Sequence, residues 1–167
     1  MTLAESNYLS NLASLSLSFV GFSAVVVTLR GALGGELSDR HLRLVRFCIE
    51  GGLLLVALAL VPRLLELLHF TEILTWRLSS ALAAMTFTVL VVVQFRRRHA
   101  VEPGPFPSWL VIVYAITTVA VASLWLNVAG VPASPNVGPY AVVLTWALCV
   151  FGFTFVRTMD VFLHRDS

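Results

Sequence analysis

"RFCIEGGLLLVALALVPRLLE", residues 46–66, decides the fold. Between Cys48 and Val61 only Glu50 breaks the apolar run, and Arg63 and Glu66 close it after Pro62. A helix that crosses a bilayer needs about 20 mainly apolar residues, so this stretch reads as a membrane span with a carboxylate one turn inside. Charge at such a depth costs at least about 2.5 kcal/mol, which makes Glu50 the first residue to explain.

Composition supports lipid as the solvent. Of 167 residues, 58% are hydrophobic and 12% charged, against about 25% charged in ordinary soluble domains. A domain of this size leaves much of its surface exposed, so that much apolar area cannot all be buried in a core. The fold class expected is all-α: one integral membrane domain over residues 1–167, a polytopic bundle of five transmembrane helices. The spans are expected at 8–29, 42–68, 73–93, 109–129 and 140–156. The breaks "RGALGG", "EPGPFPS" and "GVPASPNVGP" carry glycine and proline, whereas "HFT" is so short that the second and third helices must form a tight hairpin. No basic residue precedes Arg30, so the first span reads as a true span and not as a leader peptide.

Arginine placement sets the threading. The basic residues are all arginine, and nine of them (Arg30, Arg40, Arg43, Arg46, Arg96, Arg97, Arg98, Arg157 and Arg165) fall on one set of alternate loops. Only Arg63 and Arg77 fall on the other set. Cytoplasmic loops collect arginine, so five spans put the N-terminus outside and the C-terminus in the cytoplasm. Tyr8, Trp76, Trp125 and Tyr140 then lie near the outer boundary and Trp109 near the inner one, as interfacial aromatics do. The stretch "GFSAVVVTLRG" (21–31) resembles those of small bacterial membrane proteins of unknown role, which implies a bacterial inner membrane and supplies no function.

Three groups of residues are candidates for function. Glu50 is expected to point inward and to be paired, with Arg46 one turn before it and Arg157 of the fifth helix at similar depth. A structural ion pair, a protonated carboxyl and a proton- or cation-handling group are the readings open for it. Glu66 and Arg77 flank the hairpin turn at equal distances and are expected to pair across it, with Arg63 a turn from Glu66 and Pro62 kinking the helix. On the first helix Asn7, Ser10, Asn11, Ser14, Ser18, Gly21 and Thr28 share one face. A lipid-facing helix gains nothing from such a stripe, so it should meet another helix or line a wet path. Ser79 with Ala83, Ser80 with Ala84, and Thr118 with Ala122 have the same small-residue spacing.

Other chemistry is sparse. His41, His69, His99 and His164 form no i,i+4 pair, and Cys48 and Cys149 have no ligand spacing, so no metal or cofactor is expected. Neither a phosphate loop nor a nucleophile motif is present. Arg96, Arg97 and Arg98 could hold anionic lipid head groups, although stopping translocation is explanation enough. The partners expected are the bilayer and a second copy or another membrane protein, with nothing that suits nucleic acid. The function expected is an assembly or interaction subunit. A small oligomeric ion or proton channel using Glu50 is the alternative, and a membrane enzyme comes third because its polar pocket cannot be assembled from these residues.

Overall fold

The computed structural model describes residues 2–32, 39–101, 108–131 and 135–163, and side-chain surroundings for 2–29, 45–96, 109–131 and 135–157. These residues form five helices and no strand: α1 Leu3–Ala32, α2 Asp39–Leu67, α3 Glu72–Val101, α4 Ser108–Ala129 and α5 Val137–Leu163. Each is long and apolar enough to cross a membrane, so the chain has the make-up of a multi-pass membrane protein.

Local chemistry sets the helix ends. Thr2 and Glu5 form a reciprocal cap on α1: the Thr2 N–H donates to Glu5 Oε2 at 2.7 Å and the Glu5 N–H to Thr2 Oγ1 at 3.3 Å. Asn136 caps α5, its Oδ1 accepting from the Gly138 N–H at 3.0 Å. The ends of α2 and α4 share one closing motif. The His69 N–H donates to Glu66 O and the Phe70 N–H to Leu65 O; on α4 Gly130 donates to Asn127 O and Val131 to Leu126 O. The motif places one left-handed residue after the helix. Gly130 fills that place with φ 74°, whereas α2 uses His69 with φ 62°. The expected cap at Ser38 lies outside the described residues.

Every helix starts before its expected span, and α1, α3 and α5 also run past its end, α3 by eight residues. Hydropathy marks where lipid would begin, but backbone hydrogen bonding carries a helix past that point. Pro62 is buried, and α2 continues through it without a break.

The chain packs as two compact units. One, Val61–Leu144, holds the end of α2, the hairpin, α3, α4 and the first turns of α5. Within it α3 and α4 lie along one another, and Trp76, Ala83, Ala84, Leu124 and Tyr140 are buried. The other joins Thr2–Leu60 to the chain from Thr145 onward. Its core sets Leu9, Leu12, Val20, Cys48, Leu55, Phe151 and Phe155 together as buried apolar side chains. Phe19 and Phe47 meet Phe155 and Phe151 edge-on, with centroids 5.5 and 5.3 Å apart. Gly51 and Gly52 let α2 approach closely: a Cβ at the first would strike the Phe151 ring, and at the second Val20.

Candidate functional site

The polar stripe of α1 stands away from the packed side of its helix. Leu9, Leu12, Ala13, Ser16, Val20 and Ser23 are buried. Asn7, Asn11, Ser14, Ser18, Gly21 and Thr28 are exposed, and Ser10 is half-buried. At 3.6 residues per turn the two sets are centred roughly 150° apart. Two stripe hydroxyls are satisfied by their own helix: Ser14 Oγ donates to Ser10 O at 3.0 Å and Thr28 Oγ1 to Val25 O at 2.9 Å. The side chains of Asn7, Asn11 and Ser18 make no such bond among the described residues. Nothing stands within 4 Å of a Cβ placed on Gly21. The stripe therefore meets no neighbour of its own unit; the chain turns its hydrogen-bonding face outward.

Glu50 departs from expectation in direction though not in having a partner. Its carboxylate accepts from Arg46 Nε at 2.6 Å, and the two side chains are 60% and 80% exposed. The inward orientation is thus corrected: Val45, Cys48, Gly51, Gly52 and Leu55 occupy the packed side of α2, and Glu50 faces away from it. Arg46, not Arg157, holds it, because a partner one helical turn away is within easy reach.

Of the residues that flank the hairpin turn, Arg77 has a partner on α4. Arg77 turns to α4, where its Nε donates to Val128 O at 2.9 Å. That carbonyl lies in the last turn of α4, where no later helical N–H is present to bind it. Arg63 and Glu66 are exposed. Arg96 is exposed, whereas the side chains of Arg97 and Arg98 lie outside the described residues.

The sequence reading missed the main polar contact of the Val61–Leu144 unit. Asn127, 5% exposed, donates from Nδ2 to Ser80 Oγ at 2.8 Å and to Asn136 O at 3.0 Å, and its Oδ1 accepts from the Asn136 N–H at 3.1 Å. One carboxamide so ties α3, α4 and the entry to α5. The signal was legible as a lone asparagine inside "LWLNVAG". Trp76 and Tyr140, expected at an interfacial boundary, are 2% and 0% exposed with ring centroids 6.1 Å apart. They belong to the core, while Tyr8, Trp109 and Trp125 are exposed. Ser79, Ser80, Ala83 and Ala84 form a buried seam, and Thr118 and Ala122 do not.

Most hydroxyls of the helices bond to a carbonyl one turn back, as Ser23, Thr86, Thr88 and Thr117 do. Ser16 and Ser79 are sealed in without a partner. Among the described residues no group of three His, Cys, Asp or Glu side chains could share a metal ion. Cys48 is buried, with Sγ 3.7 Å from Phe151 O, and Cys149 is exposed; neither is in a disulfide.

Comparison with known proteins returns no match: no family model, no curated protein and no solved structure is similar to this chain.

Proposed function

We propose that this chain is an assembly subunit of the membrane, which docks the outward polar face of α1 on another transmembrane helix. One observation carries the reading: the hydrogen-bonding face of α1 lies opposite its packed face. If α1 spans with its centre near the bilayer midplane, roughly 30 Å of hydrocarbon covers about 20 residues around Ser16. Asn11, Ser14, Ser18 and Gly21 then sit within the apolar layer. A carboxamide facing acyl chains has no partner there, and leaving it so costs several kcal/mol. A neighbouring helix with uncharged donors and acceptors removes that cost, and Ser14, Ser18 and Gly21 let it approach closely. The stripe carries no formal charge and both donates and accepts, so α1 of a second copy meets these requirements.

The orientation proposed with this reading puts the N-terminus outside and the C-terminus in the cytoplasm of a bacterial inner membrane, from the distribution of arginine. The Arg46–Glu50 pair then lies at the cytoplasmic boundary, with Arg96, Arg97 and Arg98 beside anionic head groups.

The test is association in mild detergent. The wild-type chain should co-purify with a partner or run as an oligomer, and Ser14→Leu/Ser18→Leu should abolish this while helix content is unchanged. Retained association in the double variant overturns the reading. The channel alternative makes a different demand: liposomes holding the pure chain must pass ions or protons at a rate that Glu50→Gln changes.

A further inference from the structure

We infer that the seam between α3 and α4 binds an anionic phospholipid, with its phosphate on Arg77 and an acyl chain along the seam.

The two helices run antiparallel. Arg77, in the second turn of α3, bonds to Val128 near the end of α4, while Phe95 and Tyr114 meet edge-on toward the other end with centroids 6.4 Å apart. At 3.6 residues per turn, Leu74, Leu78 and Met85 stand about 60–100° round α3 from Arg77. Val111, Thr118 and Trp125 stand about 60–100° round α4 from Val128, in the same rotational sense. On antiparallel neighbours a shared sense puts both rows on one side of the seam. All six are exposed, whereas Trp76, Ser80, Phe87, Leu124 and Asn127, which lie in the opposite sense, are buried. One side of the seam is therefore packed, and the other is an open groove with Arg77 at its head.

Charge indicates what occupies the groove. Arg77 commits its Nε to Val128 O, and its two terminal nitrogens bond to nothing among the described residues. It is in no ion pair there either, so its positive charge is uncompensated. The bond from Nε orients the guanidinium and leaves the fork of Nη1 and Nη2 to take two phosphate oxygens, the pairing that suits its planar shape.

Depth agrees with this assignment. The 22 residues of α4 make a helix about 33 Å long, which matches hydrocarbon about 30 Å thick. If α4 crosses the bilayer, its last turn and the guanidinium held there lie level with the lipid phosphates, whichever way the chain is threaded. Below the phosphate, an acyl chain fits between Leu78 and Met85 on one wall and Thr118 and Trp125 on the other. Contact with a chain is open to any lipid, so selection comes from Arg77. A zwitterionic head group carries its own ammonium beside the phosphate, and a lipid of net negative charge therefore compensates the arginine better.

The experiment places the full chain in phosphatidylcholine nanodiscs doped with either phosphatidylglycerol or phosphatidylcholine that bears a diazirine on an acyl chain. Irradiation and peptide mass spectrometry give the ratio of anionic to zwitterionic lipid labelling at each position. That ratio should be several-fold higher at Leu78 and Trp125 than at Val142, which is exposed and equally near the start of its helix, α5. Arg77→Gln should lower it to the Val142 level with helix content unchanged, because Arg77 is exposed. Arg63→Gln removes the same charge from another exposed position and should leave the ratio as it was. Equal ratios at all three residues in the wild-type chain, enrichment that survives in folded Arg77→Gln, or an equal loss in Arg63→Gln overturns the inference.

Discussion

Asn127 on α4 donates to Ser80 on α3 across 2.8 Å, and the rest of its carboxamide closes on the backbone of Asn136. Side-chain hydrogen bonds between membrane helices are worth about 0.6 kcal/mol on average and seldom above 2. Ser80→Ala removes one bond and should cost about that average. Asn127→Ala removes three and leaves the Asn136 N–H without its acceptor, so its cost should be about 1–2 kcal/mol. Unfolding in mixed detergent micelles measures both, and an equal effect of the two would show that the Asn136 contacts contribute nothing.

His69 occupies a left-handed position that costs an L side chain roughly 1–2 kcal/mol relative to glycine, part of which glycine returns as unfolded-state entropy. His69→Gly should therefore stabilise the chain by about 0.5–1 kcal/mol, and His69→Val should destabilise it. The corresponding position after α4 is already Gly130 with φ 74°. Thermal midpoints of the three proteins in one detergent are sufficient, and a lower midpoint for His69→Gly counts against the hairpin geometry.

Two glycines should behave oppositely. A Cβ at Gly51 meets the Phe151 ring, which is 4% exposed and packed on Phe47. Forcing the ring aside should cost about 1–3 kcal/mol in Gly51→Ala. Gly21 has nothing within 4 Å, so Gly21→Ala should leave stability level or slightly raised. If both variants unfold alike, the packing of α2 against α5 in this unit is wrong.

Reporter fusions test the threading. A periplasmic enzyme should be active at the N-terminus and a cytoplasmic fluorophore at the C-terminus. Moving the arginine bias by replacing Arg96, Arg97 and Arg98 with Asn should yield mixed orientations. Both ends on one side would rule out five crossings.

Much of the fold was legible because apolar runs of about 20 residues have few alternatives, and because "LLHFT" leaves room only for a hairpin. The site was less so. The stripe from Asn7 to Thr28 could be read from periodicity, but not its outward direction, which depends on Leu9, Leu12, Ser16 and Val20 finding the core first. Arg46 and Glu50 were recognisable as one turn apart; hydropathy places Arg157 at similar depth but carries no information on which of the two arginines reaches the carboxylate. The turn of Arg77 toward Val128 O is a tertiary contact between residues 51 apart, and no local pattern signals it. Asn127 went unread because a single asparagine in an apolar helix is silent about which neighbours will satisfy it.

The most direct test of the central claim, that the polar face of α1 is covered by another protein helix, is photo-cross-linking in intact native membranes. A benzophenone side chain replaces Asn11 or Ser18, with Val89 and Val119, which are exposed and apolar at 59% and 70%, as lipid-facing comparisons. The account requires discrete protein adducts from positions 11 and 18 and only lipid adducts from 89 and 119. Lipid adducts alone from all four positions would contradict it.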